Sequence, residues 1–556
     1  MKKESALSWL YNKIKKRIPA LMLMTASNVG TAFLGVMFAL GTKNVINSAV
    51  SGSKSELIRA AVLQLLIIAG ILLFSTLFRF LHARLAALMD MDWKHKLGDE
   101  ILHSDYSRIS KYHSGELLNF LNNDARIIND GLLATIPGFA GMVTKLISVV
   151  IVLMTLEPVF TLILLALGIL VCIATGIARH YLKNMNKAVS ASEGRVSAFF
   201  QEAFEKLIVV RSRNVEDEVV RRGEKVMQER YALQKKRMAV SVTANSSISA
   251  LGYLTGFAAL VWCAFRLSSG IMTFGELTAV TQLAAQLQAP FVNLSGVIPR
   301  YIAMSSAAER LMELENCCVT EACGNEETEA DLTGLKSIEA ENVSFAYDRE
   351  EVFKKCSFSV PAGSFTVITG PSGIGKSTVL KLMLGIFKPS DGMIELKTTE
   401  GDIPVSLETR KAFAYVPQGN LLFSGTVRDN LILTNPEASE EQISEAVRVS
   451  CMDKFLHELP QGLETVLGEN AQGLSEGQAQ RLSIARAVLS GAPVILLDEA
   501  TSALDADTEK QVLENIKALP GRTCIAVTHR PAAAEMADMQ LRFVQHRIES
   551  EIKKHC

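Results

Sequence analysis

The stretch that decides the fold of half of this chain is SFTVITGPSGIGKSTVLKLML, from Ser364 to Leu384. It opens with a β-branched run typical of a buried strand and closes with an apolar-periodic segment typical of a helix. Between them, Gly370 to Ser377 follow the pattern Gly-x4-Gly-Lys-Ser. Glycines let backbone N–H groups converge on phosphate oxygens, and the start of the helix adds partial positive charge. Strand, loop and helix in this order predict a phosphate-binding loop in an α/β domain.

Individual residues of this loop have separate expected contacts. We expect Lys376 to reach the outer phosphates of a nucleotide and the hydroxyl of Ser377 to ligate Mg2+. The other candidates for nucleotide contact in the loop are Gly370, Ser372, Gly373, Gly375 and Thr378.

Two further segments are predicted to be buried strands that end in reactive side chains. Val494 to Leu497 is wholly apolar, which suits a parallel strand, and it is followed by two acids. Asp498 is placed to hold Mg2+ directly or through water, and Glu499 to polarise an attacking water. A third strand, CIAVTH, ends in His529. A lone histidine is often a core group, but at the end of a strand in a nucleotide-binding sheet a functional role is favoured.

The first three hundred residues have a different character, because they carry long apolar runs. The whole chain is 49% hydrophobic with a positive mean hydropathy, which points to a membrane protein. About 20 residues of helix cross the hydrocarbon core of a bilayer. Six stretches are long enough: Ala20–Leu40, Ala60–Phe78, Gly131–Leu156, Val159–Ala178, Ala244–Phe265 and Leu277–Ile298. Glu157-Pro158 is expected to form a tight hairpin between the third and fourth.

The N-terminus predicts the orientation of these spans. Residues 1–18 are predicted to form an interfacial helix, with an apolar face made by Leu7, Leu10, Tyr11 and Ile14 and with lysines around it. The basic cluster puts this end in the cytoplasm, and six crossings return the C-terminal half there. The segment lacks a cleavage site, which favours a retained anchor over a signal peptide. A net charge of −1 shows no basic excess, and no nucleic-acid partner is expected.

Two long polar intervals, between spans two and three and between spans four and five, are predicted to be helical extensions of the spans into the cytoplasm. Each has an expected turning point, SRISKYHSGE (Ser107 to Glu116) and EKLIVVRSR (Glu205 to Arg213). Two small inserted helical domains are the alternative.

Charged side chains near the spans supply the candidates for substrate contact. Lys145 lies 11 residues before the end of the third span, hence about 16 Å deep, where an ionisable group usually faces a bundle interior or a wet cavity. Arg79 and Arg300 lie at the cytoplasmic ends of spans two and six. Together these cations would suit an amphiphile with an anionic head. The alternative is that Lys145 only packs or snorkels and the substrate is neutral.

The phosphate loop, LSEGQ (Leu474 to Gln478), LLDEATSALD (Leu496 to Asp505) and VTHR (Val527 to Arg530), in this order, resemble the ATP-binding domain of ABC transporters. With six spans ahead of it, the chain resembles a half-size ABC exporter of the bacterial lipid flippase and multidrug type. The resemblance implies a six-span α-helical transmembrane domain followed by an α/β P-loop ATPase domain with a helical subdomain.

The resemblance also implies roles for single residues. By this resemblance Tyr347 would stack on adenine, and Gln418 would contact Mg2+ or the attacking water. Glu499 would be the catalytic base, and His529 would contact the γ-phosphate. The nucleotide contacts of the signature and D-loop would be Ser475, Gly477, Gln478 and Asp505. Two departures stand out: Glu476 occupies a position where glycine is usual, and Gly468-Glu469-Asn470 replaces the usual Gly-Glu-Arg.

The resemblance implies ATP and Mg2+ as cofactors, a multi-pass protein of the cytoplasmic membrane, and a homodimer in which one chain's signature helix completes the ATP site of the other. The implied activity is ATP-driven export of a hydrophobic or amphipathic substrate by alternating access. A peptide exporter and one half of a heterodimer are the alternatives; a soluble ATPase, an importer and a channel are less favoured. The expected domains are an interfacial helix at 1–18, a transmembrane domain at 19–312, a linker at 313–336 and an ATP-binding domain at 337–556.

Overall fold

A computed structural model describes residues 5–294, 296–318, 334–347, 350–419, 422–468, 472–544 and 547–552. The chain divides into two compact units, Met1–Leu102 with Tyr112–Cys317, and His103–Lys111 with Cys318–Cys556. Most of the expected linker, at 319–333, lies outside the described residues, as do Glu469 and Asn470 of the departure noted above.

Long helices joined by several short ones build the first unit. They are α1 Ala6–Ile14, α2 Ile18–Val50, α3 Lys54–Leu102, α4 Tyr106–Ile109, α5 Ser114–Asn119, α6 Ala125–Asp130, α7 Ile136–Leu156, α8 Pro158–Glu205, α9 Leu207–Ser212, α10 Glu216–Ser268, α11 Phe274–Leu294 and α12 Val297–Cys317, of which α4 is grouped with the second unit. Two π-helical turns, Phe120–Asp124 and Gly131–Thr135, join α5, α6 and α7 into one rod. The hairpin is confirmed, since α7 ends at Leu156 and α8 begins at Pro158. Proline is well suited to the first position of a helix, which explains why α8 begins there.

Among the residues that the structure describes, five continuous helices are long and apolar enough to cross a membrane: Ala6–Val50, Lys54–Leu102, Ser114–Leu156, Pro158–Glu205 and Glu216–Ser268. Many of their large apolar side chains are exposed, Leu65, Leu66 and Leu73 of α3 among them, as a surface facing lipid requires. The chain is therefore a multi-pass membrane protein.

The sixth predicted span is not confirmed as a membrane-spanning helix. Its helix, α11, ends at Leu294 rather than at Ile298, and it is not among the five candidates. Polar residues such as Gln282 and Gln286 lower its hydropathy, and Val280 and Leu283 are fully buried. Because α11 packs against α2, α7, α8 and α10, neighbouring helices shield it and it does not need a lipid-compatible surface.

Both expected turning points carry short helices. α4 begins after Asp105, whose carboxylate accepts a hydrogen bond from the backbone N–H of Ser107 at 2.9 Å. The Tyr106 ring contacts that of Phe387 within the second unit, at 5.9 Å between centroids. α9 links α8 to α10, so these segments are turns between long helices rather than inserted domains.

The N-terminal helix divides its apolar side chains between the protein interior and the surface. Trp9 and Leu10 are buried, whereas Leu7 and Tyr11 are about half exposed. Trp9 stacks on Trp93 at 5.8 Å between ring centroids. The interfacial role of α1 stays a prediction, since Leu7 and Tyr11 remain exposed as a helix lying at a membrane surface requires.

Within the described residues, a central sheet, an antiparallel sheet, a short two-stranded sheet and a layer of helices build the second unit. Its strands are β1 Ser337–Tyr347, β2 Glu350–Pro361, β3 Phe365–Thr369, β4 Asp391–Lys397, β5 Asp402–Pro404, β6 Phe413–Val416, β7 Gly425–Thr426, β8 Val466–Leu467, β9 Val494–Asp498, β10 Thr523–Val527, β11 Met539–Val544 and β12 Arg547–Ile552. Its further helices are α13 Lys376–Met383, α14 Val427–Ile432, α15 Glu440–Val449, α16 Asp453–Leu456, α17 Glu476–Leu489, α18 Ala506–Lys517 and α19 Pro531–Met536. The central sheet has the order β12-β11-β3-β10-β9-β6, and the antiparallel sheet the order β2-β1-β4-β5.

The central sheet is buried on both faces, which explains its continuous apolar strands. Along β9, Val494 and Leu496 pack toward the antiparallel sheet and α13. Ile495 and Leu497 pack on the opposite face, against helices that include α15, α17 and α18. Alternation of side chains along a strand thus supplies two cores from one apolar run.

An ion pair between a partly exposed arginine and a buried carboxylate ties α12 to the rod that leads into α7. Asp124 is completely buried, and the guanidinium of Arg310 donates to its carboxylate with Nε at 3.0 Å from Oδ2. Removing the arginine leaves a buried carboxylate without its partner, which is strongly destabilising.

We therefore expect Arg310→Ala to lower the free energy of unfolding on the order of 3 kcal/mol, measured as a fall in the thermal midpoint of the purified protein. Arg222→Ala is the matched control, because Arg222 pairs with the exposed Glu218; exposed pairs contribute about 1 kcal/mol or less. Equal midpoints for the two variants would contradict this account of the pair.

Candidate functional site

The parallel strands bring four chemically different side-chain groups to one edge of the central sheet. β6, β9, β10 and β3 are successive neighbours, and all four run in the same direction. The carboxyl end of β3 continues into the phosphate loop, that of β9 carries Asp498 and Glu499, and His529 follows β10. Gln418 follows β6. Ligands of open α/β sheets bind at this edge, so the strand order alone assembles a candidate nucleotide site.

Left-handed glycines shape the phosphate loop. Gly370, Gly373 and Gly375 have φ angles of 151°, 79° and 106°. A Cβ atom on Gly375 would also lie 2.3 Å from a side-chain carbon of Val352, so only glycine fits at the start of α13.

The Lys376 ammonium closes the same loop. Its Nζ donates to the carbonyl oxygens of Gly370 at 3.0 Å and Pro371 at 2.9 Å. Burial lowers the pKa of Lys376, while Glu499 and Asp498 act in the opposite direction. The loop thus holds a cation beside two acids.

Three oxygen groups meet beside the loop. The hydroxyl of Ser377 donates to Asp498 Oδ1 at 2.8 Å, and the phenol of Tyr415 donates to Asp498 Oδ2 at 3.0 Å. Asp498 is 2% exposed, and burial together with that carboxylate raises the pKa of Tyr415. A carboxylate and a hydroxyl within hydrogen-bond distance form an oxygen-rich site of the kind that Mg2+ prefers.

Glu499 is held in an unusual backbone conformation. Its φ angle is 50°, a value that glutamate rarely adopts and that clusters at functional sites. Its backbone N–H donates to the carbonyl of Val527 on β10 at 3.0 Å. The amide of Gln418 donates to its carboxylate at 2.7 Å, and His529 Nε2 lies 3.8 Å from that carboxylate, beyond hydrogen-bond distance.

An exposed aromatic ring stands near the helix that follows the phosphate loop. Tyr347 packs edge-on against Phe345 and Phe387, with centroid distances of 4.9 and 5.4 Å. Its hydroxyl lies 3.3 Å from that of Thr378 on α13. Because Tyr347 is 41% exposed, the ring still offers apolar surface for a planar base.

The signature segment forms a second cluster. Ser475 and Gln478 make a complete capping box at the start of α17, with hydrogen bonds of 3.2 and 2.8 Å between side chains and backbone. Among the described residues, no hydrogen bond or ion pair links Ser475, Gly477 or Gln478 to the phosphate loop. Glu476 is exposed at the first helical position, where a negative charge is favourable to the helix dipole.

Gly477 lies against the segment that follows Glu499. A Cβ atom there would be 2.9 Å from the carbonyl oxygen of Ala503. Asp505, two residues further on, caps α18 by accepting from the backbone N–H of Thr508 at 2.9 Å, and this bond lowers the pKa of Asp505. The glycine therefore has a packing role inside its own domain.

Sequence reasoning missed the side chains that fix this D-loop segment. Gln480 bonds both the hydroxyl of Ser502, at 3.1 Å, and the backbone N–H of Ala503, at 3.0 Å. Arg530 donates to the carbonyl of Leu504 at 2.7 Å and to the buried Glu509 at 3.0 Å. Gln480 lies two residues after Gln478, and Arg530 directly follows His529. This proximity to two predicted site residues is the signal that could have found them.

Tyr415 was missed as well. It lies three residues before Gln418, on the strand next to β9. A tyrosine on an otherwise apolar strand beside an acid-bearing strand is the signal that could have found it.

Of the candidates for substrate contact, two line a cavity of about 1610 Å³ in the helical unit, Lys145 and Arg300. Arg79 is exposed on α3 and is not part of the lining. The structure thus brings Lys145 and Arg300 to one cavity and leaves Arg79 elsewhere.

Two family profiles match the chain. The profile described as ABC transporter transmembrane region matches residues 21–291, and the profile described as ABC transporter matches residues 353–502. A solved structure of a bacterial Atm1-family ABC exporter with ATP bound superposes with a TM-score of 0.77. It is 24% identical and covers 97% of this chain and 95% of that one, so it shows the fold.

Two curated relatives have names that point in opposite directions. The cyclolysin secretion/processing ATP-binding protein CyaB of Bordetella pertussis is 33% identical over 61% of this chain and 48% of its own length. The mycobactin import ATP-binding/permease protein IrtB of Mycobacterium tuberculosis is 36% identical over 49% of this chain and 47% of its own length. The chain thus spans about half the length of these relatives.

The packing of Gly477 generates a prediction about two neighbouring positions. We expect Gly477→Ala to lower the ATP hydrolysis rate of the purified protein about ten-fold or more, because the new methyl group forces α17 and the backbone at Ala503 apart. Glu476→Gly should hydrolyse ATP within about two-fold of the unaltered protein, because the Glu476 side chain is exposed. A normal rate for Gly477→Ala, or a large change for Glu476→Gly, would contradict this description.

Proposed function

Because the chain belongs to the ABC transporter family and its second unit is that family's ATPase domain, we propose that it couples ATP hydrolysis to export of a hydrophobic or amphipathic substrate. Export proceeds across, or between the leaflets of, the cytoplasmic membrane, with the ATPase domain in the cytoplasm. The observation that carries this proposal is the assembly of phosphate loop, acids, glutamine and histidine at one sheet edge, in a chain that also builds a multi-pass helical unit.

In the proposed nucleotide site, Tyr347 stacks on adenine and the loop from Gly370 to Thr378 holds the triphosphate. The left-handed glycines and the ammonium of Lys376 support this assignment, since both suit anionic oxygens. Ser377, Asp498 and Gln418 would hold Mg2+, which supplies charge neutralisation to the transferred phosphoryl group. The hydrogen bond between Ser377 and Asp498 supports their sharing one ion.

Glu499 is the proposed general base, which orients water for attack on the γ-phosphoryl group. The strained backbone of Glu499 and its hydrogen bond to Gln418 aim the carboxylate along the sheet edge. His529 is the proposed contact to the γ-phosphate. Its distance of 3.8 Å from Glu499 leaves its ring free to turn toward an anion.

A second copy of the chain completes each site in this proposal. Ser475, Gly477, Gln478 and Asp505 would contact ATP held on the other chain's phosphate loop. Among the described residues no hydrogen bond links Ser475, Gly477 or Gln478 to the chain's own phosphate loop, which supports this, since one chain carries one copy of each part. α9 supports a dimer too, because Leu207 and Ile208 are 51% and 80% exposed on a turn between long helices.

Import is a second candidate for the direction of transport. Importers usually carry their ATPase and membrane parts on separate chains, which argues against import. The name of IrtB nevertheless combines ATP-binding, permease and import in one protein. Fusion of the two parts therefore does not decide direction. The name of CyaB includes secretion, which also keeps peptide export as an alternative, and a heterodimeric pairing is compatible with the same site.

Replacement of the proposed base tests the assignment directly. We expect Glu499→Gln to lower the ATP hydrolysis rate at least about 100-fold, because the amide cannot accept a proton. Nucleotide binding, measured with a fluorescent ATP analogue, should stay within about three-fold. Glu549→Gln, on the exposed strand β12, is the matched control and should hydrolyse ATP normally. A Glu499→Gln protein with normal turnover would refute the proposed base.

Direction is tested in inverted membrane vesicles, whose ATP-binding domains face outward. Export predicts ATP-dependent accumulation of a fluorescent amphiphile inside such vesicles, and none with Glu499→Gln. ATP-dependent release from preloaded inverted vesicles would instead establish import.

A further inference from the structure

The cavity in the helical unit is large and its charge is of one sign. At about 1610 Å³ it exceeds the roughly 300–1,000 Å³ typical of sites for drug-sized ligands. Four of its lining residues are cationic, Lys145, Lys183, Lys187 and Arg300, and none of its named lining residues is acidic. The site therefore carries four positive charges in its lining when all are protonated.

These four cations have no protein partner within the part of the chain that the structure describes. Within the described residues, no ion pair or side-chain hydrogen bond involves any of them. Some other cations of the same unit are paired, as Arg310 is with Asp124 and Lys13 with Glu315. Clustered like charges repel one another and raise the local concentration of anions, so an anion bound among these four side chains would relieve the repulsion.

The cations lie at two depths. Lys145 is near the middle of α7, about 16 Å from its outer end, too deep for simple snorkelling. Lys183 and Lys187 are one turn apart on α8, about 38 and 44 Å from Pro158, which is beyond the roughly 30 Å of hydrocarbon. They therefore lie at the opposite, cytoplasmic end in the proposed topology.

Apolar side chains complete the lining between the charges. Phe139 and Met142 lie on α7 within two turns of Lys145, and Ile298 and Ile302 flank Arg300 on α12. Mixed lining of this kind suits a molecule with an apolar body and an anionic group, rather than a free inorganic anion or a neutral apolar compound.

We infer that this cavity binds an amphiphilic anion whose phosphate or carboxylate group meets Lys183, Lys187 and Arg300 at the mouth and then Lys145 inside. The inference rests on the proposed transport function for its physiological meaning, because it names the substrate class. Binding itself needs neither ATP nor turnover, so it is measured independently of that proposal.

The test uses the full-length protein in a neutral detergent without nucleotide. Native mass spectrometry counts the bound probe at matched concentrations of lysophosphatidate and lysophosphatidylcholine with the same acyl chain. Glycerol 3-phosphate, the same headgroup without an acyl chain, is added as a competitor. We expect lysophosphatidate to bind at least about ten-fold better than lysophosphatidylcholine, with an advantage that shrinks as ionic strength rises.

Charge-removing variants locate the binding. Lys145→Gln and the double variant Lys183→Gln/Lys187→Gln should each lower the affinity for lysophosphatidate about ten-fold, while leaving that for lysophosphatidylcholine within two-fold. Lys225→Gln, an exposed lysine of α10 outside the lining, is the matched control and should leave both affinities unchanged. Thermal midpoints within a few degrees of the unaltered protein verify folding.

Each remaining outcome has one meaning. Equal binding of the two lysolipids, or full binding to both charge-removing proteins, overturns the inference. Competition by glycerol 3-phosphate as strong as that by lysophosphatidate overturns the role of the apolar lining. Headgroup-selective binding in a protein without ATP hydrolysis would uphold the inference while the proposed transport function fails.

Discussion

The shared direction of β6, β9, β10 and β3 is the constraint on which the ATP-binding unit depends. Parallel strands end together, so one register sets the relative positions of the loop, both acids, Gln418 and His529. A shift of one residue along β9 would turn Asp498 to the opposite face and remove it from Ser377. The backbone bond from Glu499 to Val527 matters for the same reason, since it fixes the point at which the strand pair ends.

In the helical unit, the contacts of a helix decide whether it can carry polar side chains. A helix shielded by other helices can carry them, whereas a helix exposed to lipid must be apolar. α11 carries glutamines because other helices surround it, whereas α3 exposes leucines to lipid. The same shielding permits a lysine midway along α7, provided that its side chain has a polar space to occupy. The cavity provides that space. Because none of its described lining residues is acidic, the cavity favours negatively charged groups over positively charged ones.

The sequence predicted best the features that a few adjacent residues decide. The phosphate loop, the strand ends and the hairpin at Glu157-Pro158 are local patterns, and the structure contains all three. Features that depend on contacts between segments distant in the chain were predicted less well from the sequence. The end of α11 and the buried face of α1 depend on neighbouring helices, and Tyr415, Gln480 and Arg530 act on residues far from them in the chain. Lys183 and Lys187 escaped notice because a spacing of four residues on an exposed helix is ordinary until a cavity is found beside it.

One feature of the rod from α5 to α7 links backbone geometry to the chemistry of the cavity. A π-helical turn holds an extra residue, so the turn at Gly131–Thr135 sets the rotational phase of everything that follows it. Ala134 and Thr135 line the cavity themselves, and Lys145 lies about three turns further on. Loss of a single residue from that turn would rotate Lys145 by about 100° around the helix axis, away from its present direction. Evolution could thus change which chemical group the cavity presents by a one-codon deletion, without replacing any residue that lines it.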